Sequence, residues 1–465
     1  MIFDYLLSLI SIYLFVALAA GMHVLLYKRD SRSALGWLAL IVLFPIAGAI
    51  LYLLFGVNRV QRKAQRISLH VIPEGGKRPE FESVPAGASM SRVGHNITHR
   101  ELTTGNSLRT YYNGEQAYPP MLEAIDGARH ELLLSSYIFD NDDTGLRFIE
   151  RLTAARDRGV QVRILVDDVG IRYSFPTIIR ALKQRDLHFR RFMPLRLLPP
   201  SFSINLRTHR KLLIADRSVS FAGGMNIGDR QLLEGPSPHR ASDLHFRIHG
   251  PIIEDLVSLF YEDWQYSGGA PMTRFETTKS ANGTASCRLI SDGPDETLDS
   301  LTLLIIGILS SARRRVWIMS PYFLPDQKMM GSLQAAALSG IDIQVMIPEQ
   351  NNWPLVQWAL QHNMADLLNT GVSILQRPPP FAHSKCLLAD DDYVMVGSSN
   401  MDPRSLRLNF ELGIEVFDPS LNRELSAHFE RTAADCKIFT TEYLKNRGTF
   451  TRLRDGAAAM FGPYL

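Results

Sequence analysis

With 465 residues, 46% hydrophobic and 21% charged, the chain can bury one large or two medium cores and is not of disordered composition. Its 50 basic and 47 acidic residues leave a formal charge of +3, too little to argue for a nucleic-acid protein. Cys287, Cys386 and Cys436 are widely spaced with no C-x-x-C, so neither a disulfide framework nor a zinc site is indicated, and a reducing compartment is permitted.

From the N-terminus, Tyr5 to Tyr27 is 23 residues without a charge and Ala34 to Phe55 is 22, each long enough to cross a hydrocarbon core of about 30 Å as a helix. Residues 1–66 therefore read as a two-helix transmembrane hairpin. A cleaved signal peptide is the competing reading of the first run, helped by Ala17-Leu18-Ala19, but the residues before it carry Asp4 and no lysine or arginine. For the second run the competitor is a buried core helix, which Pro45 would break more readily than a membrane helix. The connection holds Lys28, Arg29 and Arg32, whereas Arg59, Arg62, Lys63, Arg66, Lys77 and Arg78 follow the second run, which favours a cytoplasmic C-terminal body. Pro73, Gly75, Gly76, Pro79, Pro85 and Gly87 then mark residues 67–100 as a linker without sustained periodicity.

Two parallel half-chains follow, residues 101–275 and 285–465. In the first, Glu131 to Phe139 is strand-like, Gly145 to Arg158 has helical spacing, and Gly159 leads into a second strand, Val160 to Asp167. In the other, Arg315 to Phe323, Gln327 to Ser339, and Gly340 into Ile341 to Ile347 repeat that order. Strand, helix and strand with glycine at the helix exit predict right-handed crossover units in a mixed or mainly parallel β-sheet, an α/β fold. The repeat sets Tyr137 opposite Tyr322; each reads first as a buried aromatic closing a strand, although the strand ends face the crevice where such sheets bind ligands. Asp167 and Asp168 read as a strand-end turn and not as metal ligands, since no acidic or histidine cluster has matching spacing. No metal is expected.

Each half carries the octet H-x-K-x4-D: His209, Lys211 and Asp216 in one, His383, Lys385 and Asp390 in the other. Each octet runs on to a small-residue turn with an asparagine, Asn226 or Asn400, and every counterpart lies 174 residues on (383 against 209, 390 against 216, 400 against 226). A neutral imidazole can attack phosphorus and a protonated one can supply a proton to a leaving alkoxide, near neutral pH. Lysine two positions on shares the histidine's strand face and can meet phosphate oxygens, to which Asn226 and Asn400 would add neutral donors. Two copies are needed because one histidine cannot be nucleophile and leaving-group acid at once.

On these residues the chain resembles the phospholipase D superfamily, whose hallmark is a duplicated HKD motif. The two apolar segments and nearly all the remaining length look like the bacterial cardiolipin synthases. The matching residues include Tyr137-Ile138-Phe139, Asn205 to Lys211, Ser320-Pro321-Tyr322-Phe323, Asn400 to Leu406 and Asn409-Phe410-Glu411. The resemblance implies two repeats, each a mixed sheet flanked by helices, sharing one active site. It also implies an acid after each motif that orients the histidine of the opposite half, matching Asp243 and Glu411 by position. Asp216 and Asp390 are then expected to hold the turn after the strand instead of touching substrate.

The expected reaction is transfer of a phosphatidyl group between two phosphatidylglycerol molecules, giving cardiolipin and glycerol through a phosphohistidine. It needs no nucleotide, because the two esters have similar bond energies, and no cofactor is expected. The expected location is a bacterial inner membrane. The preference for His209 as nucleophile rests on the resemblance; the local asymmetry is Arg210 against Ser384, an extra cation that would favour a neutral His209 if it lay close enough. Hydrolysis of phospholipid by the same residues, or transfer to another lipid or alcohol, remains open, as does the oligomeric state. Arg190 to Phe202, Asn351 to Trp358 and Phe450 to Leu465 mix cationic and large apolar side chains as interfacial segments do, an ordinary buried connection being an equal reading of the first. His99, His188, His239, His245, His249, His362 and His428 have no comparable partners and read as surface or core residues. Ile248, Gly250 and Pro251 argue against a helical zinc pair at His245 and His249.

Overall fold

A computed structural model describes residues 2–28, 31–56, 86–194, 206–272, 282–293 and 299–462. They fall into two units, one N-terminal and one holding everything from residue 86 onward. The N-terminal unit consists of a helix Ile2–Tyr27, a helix Ser31–Leu43, and a helix Pro45–Leu51 that continues as one π turn, Tyr52–Gly56. Its small core is Val24, Ile41 and Tyr52, with His23 Nδ1 2.8 Å from the Tyr52 hydroxyl. The second apolar run is thus interrupted at Phe44, because Pro45 has no N–H to continue the ladder and sits at the first turn of a new helix. Among the described residues no helix is long and apolar enough to cross a membrane.

The expected linker contains an element that the sequence reading passed over. Ala86–Thr98 is a helix whose Met90, Val93 and Ile97 pack into the core of the second half, among Leu304, Ile305 and Ile308. Its apolar stripe is three residues long among glycines and serines, too thin to register as a period.

The main unit is built on strands β1 Thr103–Tyr112, β2 Glu131–Ser136, β3 Gln161–Asp167, β4 Phe189–Phe192, β5 Leu212–Ala215, β6 Val219–Gly223, β7 Ala241–Ser242 and β8 Leu244–His249 in the first half. The second half supplies β9 Ala285–Asp292, β10 Arg315–Met319, β11 Asp342–Pro348, β12 Ser373–Arg377, β13 Phe381–Ala382, β14 Cys386–Ala389, β15 Tyr393–Gly397, β16 Glu411–Phe417 and β17 Lys437–Ile438. Fifteen of them form one sheet in the order β17-β12-β11-β10-β14-β15-β16-β9-β1-β8-β6-β5-β2-β3-β4. Outward from the antiparallel β1–β9 seam, the two halves list corresponding strands in the same order, as a duplicated α/β unit with a pseudo-twofold axis does.

Within each half β2–β3–β4 and β10–β11–β12 are parallel, and the inner strands are antiparallel. The crossover helices, Asp143–Asp157 and Gln327–Leu338, begin at Asp142 and Asp326, whose carboxylates accept the backbone N–H groups of Gly145 and Met329. Both helices end at glycines with φ of +90°, Gly159 and Gly340; open space surrounds both, so backbone conformation and not crowding demands glycine there. Strand β2 is buried along its whole length, sealed by Phe148, Ile149 and Leu152 of its helix.

Candidate active site

The two octets reach the seam by a reciprocal exchange of backbone hydrogen bonds. The His209 N–H donates to the Phe410 carbonyl at 2.9 Å, and the His383 N–H to the Ser242 carbonyl at 2.8 Å. Each histidine is therefore stitched to the residue just before an acid of the opposite half. The side chains repeat the exchange. His209 Nδ1 lies 3.1 and 3.2 Å from the two Glu411 carboxylate oxygens, and His383 Nδ1 lies 2.6 Å from Asp243 Oδ2. A carboxylate accepts the Nδ1 hydrogen and leaves Nε2 as the unprotonated nitrogen of the neutral ring.

The acids are buried, but not alike. Glu411 also accepts from Ser398 Oγ at 2.5 Å, Ser405 Oγ at 2.8 Å and Asn409 Nδ2 at 3.3 Å. Asp243 accepts one backbone bond, from Leu244 at 2.8 Å, besides its histidine. The 174-residue offset makes Gly224 the counterpart of Ser398, and a Cβ at 224 would stand 2.5 Å from Asp243 Oδ1. A donor hydroxyl in one half is thus replaced in the other by the space for a shorter acid.

Burial sets the charges. It pulls His209 and His383 down to about 4, with Lys211 and Lys385 acting in the same direction and the carboxylates against it. Both rings are therefore neutral near pH 7. Burial also lowers Lys211 well below the usual ammonium range and Lys385 to about 8. Burial alone would raise the two acids, yet His209 and Lys211 hold Glu411 at about 2, and His383 and Lys385 hold Asp243 below its ordinary value. Arg210 donates to Asp263 at 2.6 Å and to the Glu411 carbonyl at 3.0 Å, so the sequence argument from an extra cation beside His209 gives way to one from the two lysines.

His209 and His383 line one cavity of about 830 Å³, together with Tyr137, Tyr322, Asn226 and Asn400. Tyr137 lies edge-on to His209, ring centres 5.2 Å apart, with the Lys211 ammonium 5.5 Å from its face. Asn226 Oδ1 accepts the Ile138 N–H at 3.1 Å, while Asn400 Nδ2 reaches Ser405 Oγ at 3.2 Å. The lysines sit behind the histidines. Each Nζ donates to its own histidine's carbonyl at 2.5 Å, and Lys385 Nζ is 3.0 Å from His383 Nδ1, a charge contact because an ammonium offers no acceptor.

Asp216 and Asp390 lie at the far ends of β5 and β14, away from the cavity. Asp216 accepts the N–H groups of Arg129, His130 and Glu131 at 2.8 to 2.9 Å, and Asp390 those of Arg313, Arg314 and Arg315 at 2.9 to 3.3 Å. Both have left-handed φ, +49° and +47°. Asp167 accepts from Val169, Gly170 and Thr208, tying the residue before His209 to the end of β3, and Asp168 pairs with Arg172 and Arg191.

Sequence reasoning passed over Ser398, although the 174-residue offset sets it against Gly224. It also gave no role to Arg404, Ser405, Asn409, Arg377 or His239, all of which line the cavity. His245 and His249 lie on strand β8, not on a helix, and His245 is buried. Of the three stretches read as interfacial, Arg190 to Phe192 form β4 with Phe192 in the core, and residues 195–202 lie outside the described residues. Asn351, Asn352 and Trp353 line the cavity, Trp353 being 53% exposed.

Residues 121–264 and 305–433 match the family described as Cardiolipin synthase, PLD-like domain, and residues 11–56 match the Phospholipase_D-nuclease N-terminal family. Cardiolipin synthase 2 of Staphylococcus epidermidis is 29% identical over 98% of this chain and 97% of its own length. A cardiolipin synthase of Staphylococcus aureus is 30% identical over 94% of this chain and 92% of its own. The crystal structure of phosphatidylserine synthase from Haemophilus influenzae superposes with a TM-score of 0.63 at 13% identity, covering 81% of this chain and all of that one, a likeness of fold.

Proposed function

This chain belongs to the family of phospholipase D-like cardiolipin synthases, and we propose that it joins two phosphatidylglycerol molecules into cardiolipin and glycerol at the His209–His383 site. The observation that carries the reading is the crossed pair of acid–histidine contacts, Glu411 on His209 and Asp243 on His383, which aims two differently supported imidazoles into one cavity.

Binding of an anionic phosphodiester raises the histidine pKa values and brings a proton onto His383. His209 Nε2 attacks phosphorus, the bond to the head-group glycerol breaks, and His383 gives its proton to the departing alkoxide. His383 then takes the proton of a second phosphatidylglycerol hydroxyl, whose oxygen displaces His209 from phosphorus. Glu411 stabilises the cationic phosphohistidine, and its network of Ser398, Ser405 and Asn409 suits it to that task. Lys211 and Lys385 lie behind the rings, where an anionic phosphodiester opposes the burial that lowers them and favours their ammonium forms, and the asparagine amides supply nearer donors to the phosphoryl oxygens. Asp216 and Asp390 hold the strand ends.

We read residues 1–66 as the membrane hairpin, with the main unit on the cytoplasmic side of a bacterial inner membrane. Leu14, Phe15, Leu18, Leu25, Leu26, Val42 and Leu43 are each 60% exposed or more, an apolar exterior that suits lipid. Tyr173 and Trp353 on the cavity wall are about half exposed, and Phe175, two residues after Tyr173, is 98% exposed, which suits entry of a lipid substrate. The test is product analysis of the purified chain in phosphatidylglycerol vesicles. Cardiolipin and glycerol in equal amounts support the proposal; phosphatidic acid in place of cardiolipin would make the chain a hydrolase.

A further inference from the structure

The C-terminal helix Thr449–Met460 turns one face into the protein and leaves an apolar stripe exposed among the described residues. Asp455 and Ala458 are buried, and Arg454 lies with its guanidinium 4.5 Å from the Trp358 ring centre, on the neighbouring helix Pro354–Leu368. The other face carries Phe450 at 89%, Leu453 at 64% and Met460 at 81% exposure, with Ala457 between them and Phe461 at 57% just beyond. Spacings of 3, 4 and 3 residues put Phe450, Leu453, Ala457 and Met460 on one stripe, which for a soluble surface is the reverse of the usual pattern.

Beside the stripe lies a second cavity, about 650 Å³, lined by Lys445, Arg447, Arg452, His362 and Asp455. Buried Asp455 is shared by Arg447 and Arg454, while Lys445 and Arg452 are in no ion pair among the described residues. Counting exposed Glu442 on the preceding short helix, four cations face two acids. The helix Pro354–Leu368, against which this one packs, begins directly after Trp353 on the wall of the active-site cavity.

We propose that this face is an interfacial docking surface: Phe450, Leu453, Met460 and Phe461 enter the acyl boundary of a bilayer, and Lys445 and Arg452 hold the phosphates of anionic lipid head groups at its edge. An apolar stripe flanked by cations is the pattern of a helix lying in a lipid interface. Four side chains and an alanine fall short of the roughly 800 Å² per partner that a stable protein interface buries, which disfavours a second copy as the occupant. The inference concerns location and does not depend on the reaction.

The full chain carrying Cys436→Ser, with a spin label at Leu453→Cys or at Leu338→Cys, is reconstituted into vesicles of zwitterionic lipid with or without phosphatidylglycerol. Leu338 is the control, an apolar residue 72% exposed on the helix Gln327–Leu338. At 453 the label should be shielded from a water-soluble relaxant and open to oxygen when phosphatidylglycerol is present, while at 338 it stays aqueous. A label at 453 that is aqueous in both vesicle types overturns the proposal. Shielding that appears in detergent and rises with protein concentration assigns the face to self-association and overturns it equally. Joint Phe450→Ser, Leu453→Ser and Met460→Ser should lower vesicle turnover about five-fold and leave detergent-dispersed turnover unchanged. Equal losses in both assays would assign the stripe to folding instead.

Discussion

Replacing Glu411 by glutamine changes one buried atom and removes one charge. The carboxylate accepts from His209, Ser398, Ser405 and Asn409. The serines can reverse their hydroxyls toward an amide, and an amide oxygen in the Oε1 place still reaches both Asn409 Nδ2 and His209 Nδ1–H, but the amide nitrogen in the Oε2 place then stands 3.2 Å from His209 Nδ1. An amide N–H facing Nδ1 favours the tautomer that protonates Nε2 and blocks attack. The lost charge-assisted bond is worth about 1.5–3 kcal/mol, and the unfavourable tautomer adds about 1 kcal/mol. Together they predict a fall in kcat on the order of 10²–10³, at about 1.36 kcal/mol per decade, with KM changed less than roughly two-fold. The assay is turnover of phosphatidylglycerol beside an analogue whose leaving group departs without a proton. Glu411→Gln should be slow on both; Asp243→Asn, which supports the acid, should be slow on the natural substrate and recover most of its rate on the analogue. Full recovery of Glu411→Gln on the analogue, or a loss below about three-fold on the natural substrate, would refute the division of roles.

Because burial holds both histidines at about 4 and a bound phosphodiester opposes that shift, binding at pH 7 of a phosphodiester such as dimethyl phosphate, which has no proton of its own titrating nearby, should take up about one proton; calorimetry in buffers of different ionisation enthalpy should show it, and no uptake would contradict the proposed loading of His383. Glu411 is held below its ordinary value, so its charge stabilises the fold above pH 4.5 and that contribution is lost as pH falls from 4.5 toward 2; Glu411→Gln should unfold with a flatter acid limb, seen by circular dichroism. Asp390→Asn weakens a turn held by three backbone N–H groups, so a loss of about 1–3 kcal/mol in denaturant titrations should accompany near-native kcat in the folded protein. Removing residues 1–66 should weaken vesicle turnover far more than detergent-dispersed turnover; equal losses would mean that the hairpin shapes the active site.

The duplicated fold was legible because its signals are local and occur twice: an apolar strand, a capped helix, a glycine exit, then a second strand 174 residues out of phase at the motifs. The helix Ala86–Thr98 was not, since three apolar residues among glycines and serines acquire meaning only against Leu304 and Ile308, which lie more than 200 residues on. The histidines, lysines and motif aspartates could be located from spacing, but not which atoms they use. That Lys211 and Lys385 reach back to their own histidine carbonyls, and that Arg210 leaves the site for Asp263, depends on which way each side chain turns from the strand. Ser398 was hidden for a different reason. Its value lies in departing from the repeat, as a hydroxyl over Glu411 where Gly224 makes room for Asp243.

The most direct test of the two-histidine account is to trap the covalent intermediate and locate it. His383→Ala incubated with the good-leaving-group analogue, quenched and digested, should yield a phosphatidyl adduct on residue 209 by mass spectrometry, because departure needs no proton donor while resolution needs His383 to take the acceptor's proton. His209→Ala under the same conditions should yield none. An adduct on residue 383 in the His209→Ala protein would reverse the direction of the mechanism, and no adduct on either histidine in any variant would contradict it.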